Sequence, residues 1–333
     1  MSNIIERDVN NLVDNIDFSQ LRNKSILITG ASGLIGCYLA SCLKLVYKKY
    51  NIKVFLSHKN DLSPEFKEVF DFDYVDLQGD IMDISLDEKM DLIIHAAGYG
   101  QPGKFLDNKI KTIEINTTAT INLFKQLKSN GKFLFVSTSE LYSGNNANSI
   151  TESEVGLTST DHSRACYIES KKCGEAICYA YKELNYDVKI ARLSLAYGPG
   201  TKKGDHRVLN AFIEKAIKEN SINLLDEGQA IRTYCYITDV IEMFWNIMLN
   251  GKNTVYNVGG YSVTTILDLA NTIGGMLNKE VFTPTKSKEL KGSPKRVNIS
   301  TELYKKEFNK NTFVSLNEGL KNTIEWQKLL YKN

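Results

Sequence analysis

The sequence predicts an α/β fold in which a doubly wound parallel sheet is covered by helices on both faces, with a smaller α/β lobe toward the carboxyl end. Two observations carry that prediction. Short apolar runs alternate with segments of helical periodicity along most of the chain, and the first run opens straight into a glycine-rich turn.

Residues 1–23 read as an amphipathic leader helix packed on the body, with Ile4, Ile5, Val9, Leu12, Val13 and Ile16 at helical spacing. Ser25–Thr29 has the composition of a strand buried on both faces. It leads into Gly30-Ala31-Ser32-Gly33-Leu34-Ile35-Gly36. Gly30 permits the tight turn, Gly33 lets the backbone approach a pyrophosphate, and Gly36 lets the following helix lie close to the strand. That helix continues through Leu39, Leu43, Val46 and Tyr47, and its amino terminus offers N–H donors to phosphate. Strand, glycine turn and helix in this order predict a dinucleotide site.

Further strands are expected at Val54–Leu56, Phe72–Val75, Asp91–His95, Lys132–Val136 and Val188–Leu193. A long helix is expected from about Asp107 to Ser129 and another from Arg164 to Leu184. Beyond Tyr197 come a Gly/Pro turn, a basic loop, a helix over Val208–Lys218 and short strands near Leu224 and Tyr234. We therefore expect residues 1–196 to form mainly the dinucleotide-binding domain and 197–333 mainly a substrate lobe. Segments near 234–260 are expected to return to the first domain.

Composition narrows the function. The 333 residues are 42% hydrophobic and 24% charged, ordinary values for a globular protein, and Lys+Arg 41 against Asp+Glu 39 leaves a net charge of +2. That balance gives no electrostatic reason to expect nucleic acid or membrane as partner. The amino terminus has no uninterrupted apolar run, so a cytoplasmic protein is expected. Six scattered cysteines and four isolated histidines show no metal-ligand spacing, and no metal is expected.

Tyr167 and Lys171 stand four residues apart in the Arg164–Leu184 helix and so share a face. A phenol titrating near ~10 is a poor base at neutral pH, and a neighbouring cation favours the phenolate. Tyr167 is therefore a candidate base for a hydroxyl proton. The strand ending in Ser137-Thr138-Ser139-Glu140 sets hydroxyls and a carboxylate at the carboxyl edge of the sheet, where such folds bind ligands.

Several strings in order resemble the extended short-chain dehydrogenase/reductase family: TGASGLIG (29–36), GDI (79–81), HAAG (95–98), STSELY (137–142), YIESK (167–171), YGPG (197–200) and RTYCYITD (232–239). Within it the chain is most similar to the nucleotide-sugar epimerases, 4,6-dehydratases and UDP-glucuronate decarboxylases. The resemblance implies a Rossmann domain, a homodimer and a nucleotide-diphosphate sugar as substrate. It also implies bound NAD, contacted by Gly30, Ser32, Gly33, Leu34, Ile35, Gly36, Asp80, Ile81, Ala96, Ala97, Gly98, Asn116, Tyr167 and Lys171. On this pattern Tyr167 deprotonates the sugar C4 hydroxyl and Thr138 hydrogen-bonds the same oxygen, while Ser139 and Glu140 direct the fate of the resulting 4-keto sugar. Glu140 favours elimination or decarboxylation; a C4 epimerase, a net C4 oxidoreductase and a non-catalytic cofactor-binding regulator stay open. Arg232 and Arg296 are expected at the nucleotide diphosphate and Arg207 in the loop that packs on the base, with Ser194 and Lys104 also toward substrate.

The chain departs from the pattern in three places. Leu195 replaces an asparagine before the Tyr-Gly-Pro turn, and SPKRVNIS lacks the arginine-rich run that precedes a proline in the decarboxylases. At the end of the second strand, Ser57, His58 and Lys59 replace the acid that binds the NAD ribose, and a serine and a lysine suit the 2′-phosphate of NADP.

Overall fold

A computed structural model describes residues 2–332 apart from 63, 146, 148 and 285–297. Arg296 lies outside the described residues. The Rossmann half comprises α1 (Ser2–Val13), β1 (Ser25–Thr29), α2 (Leu34–Tyr50), β2 (Lys53–His58), α3 (Pro64–Val69), β3 (Val75–Gln78), β4 (Met90–His95), α4 (Pro102–Asp107), α5 (Lys109–Asn116), α6 (Thr118–Lys125), β5 (Leu127–Thr138), α7 (Ala165–Glu183) and β6 (Asp187–Leu193). After it come β7 (Leu195–Tyr197), α8 (Val208–Lys218), β8 (Ser221–Asn223), β9 (Ile231–Tyr236), α9 (Ile237–Asn250), β10 (Val255–Val258), β11 (Ser262–Thr265), α10 (Ile266–Leu277), β12 (Glu280–Phe282), α11 (Glu302–Phe308) and α12 (Leu316–Lys332).

The main sheet is parallel in the order β10-β6-β5-β4-β1-β2-β3, so the strand order reverses between β1 and β4. Ligands bind such sheets in the crevice at that reversal, beyond the carboxyl ends of the strands. β10 extends the sheet beside β6, while β7, β9 and β11 form a separate three-stranded sheet and β8 and β12 a pair. All five residues of β1 are buried because both faces are covered. Ile26 and Ile28 join the cluster that runs into Tyr197, Tyr234 and Trp245, whereas Leu27 packs with Phe55, Ile93 and Phe133 on the other face.

Three expectations need correction. The leader helix ends at Val13 rather than near residue 23, though Ile4, Ile5, Val9, Leu12 and Ile16 are buried. Asp8 fastens it to the body by accepting hydrogen bonds from Tyr38 (3.1 Å) and Tyr236 (2.7 Å). The third strand begins at Val75, not Phe72, because Phe72 and Tyr74 pack into an aromatic cluster with Tyr47 and Phe70. The long helix expected over 107–129 is two helices, α5 and α6, set off from the end of α4. The backbone leaves helical angles at Asn108 (φ −126°, ψ 51°) and is distorted within the right-handed region at Thr117 (φ −116°, ψ −74°), whose hydroxyl donates to the Ile113 carbonyl at 2.7 Å. Its last residues belong to β5, where Leu127 pairs with Met90.

The glycine turn is tightly fitted. Gly30 has φ +73°, and a Cβ there would sit 2.8 Å from the Ala97 backbone; a Cβ on Gly36 would sit 2.3 Å from the Gly30 carbonyl oxygen. Gly36→Ala is therefore expected to lower stability by about 1–3 kcal/mol. Chemical denaturation with and without NAD checks this, and an unmoved midpoint in both would refute it.

Candidate active site

Helix α7 presents Tyr167, Lys171 and Glu175 on successive turns of one face. Tyr167 is 9% exposed and stacks on Phe105, with ring centres 4.5 Å apart and planes 3° from parallel. Burial pushes its phenol up to about 12 and the Glu140 charge adds to this; a hydrogen bond with Thr138 and the charges of Arg164 and Arg207 pull it back. Two of the charges acting on the phenol are thus guanidiniums. The Lys171 ammonium donates to the Val136 carbonyl at 2.7 Å and lies 4.6 Å from the Phe135 ring centre. Its burial brings it down to about 8 despite the Glu175 carboxylate.

Thr138 ends β5 and caps the tight turn Ser139–Tyr142, its hydroxyl oxygen accepting the Glu140 amide at 3.1 Å. Ser139 is buried. One Glu140 oxygen, Oε1, is paired with Arg164 Nη2, while Oε2 is buried without a hydrogen-bond partner among the described residues. Burial raises the Glu140 carboxyl above its ordinary range, and the nearby Arg164 and Arg232 charges oppose it. Behind this edge Glu175 accepts from Ser137 (2.6 Å) and from Arg192 Nη2 (2.8 Å). Arg192 Nη1 donates to the Tyr142 hydroxyl (2.9 Å), which donates to Asn257 (2.7 Å). That network ties β5, α7, β6 and β10 together beneath the site.

Sequence reasoning missed Phe105, Arg164 and Glu175. Glu175 was signalled by its i+4 step from Lys171, and Arg164 by its place three residues before Tyr167.

On the cofactor side, Ser32 is half-buried and Gly33 exposed, with Leu34 and Ile35 half-buried at the start of α2. Ala96, Ala97 and Gly98 follow β4, whose His95 is held neutral, pushed down to about 3 by burial, and bonds Thr29 at 2.9 Å. Asn116 donates to Ser170 at 2.9 Å, while its Oδ1 is buried without a partner among the described residues. Asp80 caps the short turn beginning at Ile81 and pairs with Lys111 at 2.8 Å. The cradle that a Cβ would fill and the buried Asn116 oxygen fit a dinucleotide.

Ser57 and His58 end β2, and Lys59 follows it. Ser57 is 2% exposed, and both His58 nitrogens are engaged, with Asp76 at 2.6 Å and the Asn60 carbonyl at 2.8 Å. The Lys59 ammonium faces Asp80 at 3.6 Å.

On the substrate side, Arg232 is half-buried, with Nη1 donating to the Ile231 carbonyl at 2.8 Å; its guanidinium feels Arg164 and Glu140. The Arg207 fork is held by Asp205, Nε lying 3.0 and 3.1 Å from its two oxygens, so its charge is already matched. Ser194 is buried and donates to the Thr233 carbonyl at 3.0 Å, and Lys104 is exposed on α4.

Residues 26–259 match the NAD dependent epimerase/dehydratase family. UDP-glucuronic acid decarboxylase 1 of Danio rerio is 27% identical over 325 residues, spanning 92% of this chain and 73% of its own. UDP-glucuronic acid decarboxylase 6 of Arabidopsis thaliana is 28% identical over 78% of this chain and 76% of its own. Two solved structures share the fold. UDP-glucuronic acid 4-epimerase from Bacillus cereus aligns with TM-score 0.79 at 23% identity, over 92% of this chain and 100% of that one. dTDP-glucose 4,6-dehydratase from Bacillus anthracis aligns with TM-score 0.76 at 22% identity, over 93% and 98%. With its glycine cradle intact and more than half its length matched, the chain belongs to the NAD dependent epimerase/dehydratase family, whose cofactor is NAD.

Proposed function

We propose that the chain acts on a nucleotide-diphosphate sugar, with Tyr167 taking the proton of the C4 hydroxyl and Glu140 moving a second proton so that water or carbon dioxide is lost. The glycine turn, Asp80 and Asn116 would hold NAD, which supplies a hydride acceptor and donor. Thr138 orients the sugar oxygen against the phenol, and Arg232 takes the diphosphate. The observation that carries the reading is Glu140, a carboxylate with one oxygen unpartnered among the described residues, whose charge acts on the Tyr167 phenol. The relatives support the substrate class through their names. A C4 epimerase or net C4 oxidoreductase is the second reading, favoured by the Arg164 pairing that occupies the other Glu140 oxygen. Incubation with UDP-, GDP-, CDP- and dTDP-sugars, with product masses as the readout, tests both. Loss of water or carbon dioxide supports the first reading, unchanged mass or loss of two hydrogens the second, and no reaction with any of them refutes both.

We also propose a cytoplasmic homodimer in which residues 1–196 mainly bind NAD and 197–333 mainly bind the sugar nucleotide. Unpaired cysteines fit a reducing compartment, and no described helix is long and apolar enough to cross a membrane. Ile110 (71% exposed), Ile113 (40%) and Ile121 (36%) on α5 and α6 offer an apolar surface for a second copy. Light scattering is expected to show a dimer that Ile110→Asp with Ile113→Asp converts to monomer; an unchanged mass would sink this interface.

A further inference from the structure

We propose that Arg164 is a positioning residue that grips one oxygen of Glu140 and leaves the other free to exchange a proton with substrate. The inference rests on Glu140 acting in the proposed reaction.

Arg164 immediately precedes α7, and its carbonyl accepts the amides of Tyr167 (3.0 Å) and Ile168 (3.1 Å). Its backbone is thereby fixed relative to the phenol. Its side chain runs along the same wall of the site. The ζ carbon lies 5.2 Å from the centre of the Phe105 ring, and that ring stacks on Tyr167. From there Nη2 donates to Glu140 Oε1.

The pairing is half of what these groups can make. An arginine fork and a carboxylate often join through two parallel hydrogen bonds. Here Arg164 Nε and Glu140 Oε2 are both buried and both without partners among the described residues. Buried unmade bonds are costly, so the arrangement suits a ligand that completes it. A proton leaving the substrate passes to Oε2 while its bonding pair stays on the substrate.

The charges around the carboxylate make Arg164 the dominant partner. Arg164 and Tyr167 face it from the α7 side, and Arg232 acts on it from β9 with one donor already turned to the Ile231 carbonyl. Arg164 is hydrogen-bonded to it in the structure. Removing that guanidinium leaves a buried carboxylate whose desolvation is less opposed, so it should hold its proton to higher pH.

Two measurements decide. In substrate-free protein carrying ¹³C-labelled glutamate, with Glu140 assigned by its loss in Glu140→Gln, Arg164→Met should move the Glu140 titration upward. Arg164→Lys, which keeps the charge, should restore most of the shift. With UDP-glucuronic acid as probe, Arg164→Met should lower kcat by about 10²-fold with KM little changed. The same change made on Glu140→Gln should cost the residual rate less than about threefold, as expected of coupled residues. An unmoved titration, or losses that simply multiply, would overturn the proposal. A wild type inert toward the probe counts against the reading of function, and the titration then decides on Arg164.

Discussion

Replacing Tyr167 with phenylalanine is expected to cut product formation by about 10²–10⁴-fold, the range that a positioned acid–base group contributes. NAD affinity should stay within about threefold, since the substitution removes one oxygen and leaves the stack on Phe105 and the Lys171 bond to Val136 in place. A product assay beside calorimetric titration of NAD checks both halves. Normal turnover would remove Tyr167 from the chemistry altogether. The pH dependence has a definite sign. In the ligand-free protein the phenol is raised to about 12, chiefly by burial, so the neutral form is the one folding favours. Stability from that preference is complete below an unfolded phenol value of ~10 and is lost as pH rises through about 12. Tyr167→Phe should therefore lose less stability than the wild type across that alkaline window, which denaturation at a series of pH values would reveal.

How much of the molecule is legible in its residues depends on the range over which each signal acts. β1 and the glycine turn were legible because five buried residues and three glycines are close together in the chain, and their constraints are local. Helix α8 matched Val208–Lys218 because its apolar period is uninterrupted and it ends where the structure ends it. The break at Thr117 was not legible, because a threonine inside a periodic run reads as helix until the distortion of its backbone is seen. The Asp205–Arg207 pair lies two residues apart and was open to inspection, but Arg207 was read for its place beside the base and not for its partner. Arg192 with Glu175, and Glu140 with Arg164, are long-range pairings that no periodicity announces. They depend on β5 and α7 meeting at the carboxyl edge of the sheet. The consequence is that sequence could nominate candidate groups for proton transfer and place Arg164 near Tyr167, but not pair Arg164 with Glu140.

Glu140→Gln should separate the two halves of the proposed reaction. Oxidation at C4 is expected to proceed at close to the wild-type rate, while loss of water or carbon dioxide falls by about 10²–10⁴-fold. Reduced cofactor and oxidised sugar should then accumulate in a single turnover. The amide is close in shape and its oxygen still accepts from Arg164, so the turn capped by Thr138 has no reason to move. It cannot take up a proton as the carboxylate does. Losing the negative charge also removes one of the influences that raise the Tyr167 phenol, so the first proton transfer is not hindered. Rapid-mixing absorbance of the nicotinamide, together with mass analysis of the quenched sugar, reports the two steps independently. If the glutamine variant yields normal product at a normal rate, Glu140 moves no proton. The surviving assignment would then be the C4 epimerase, which needs the phenol but no second acid or base at this position.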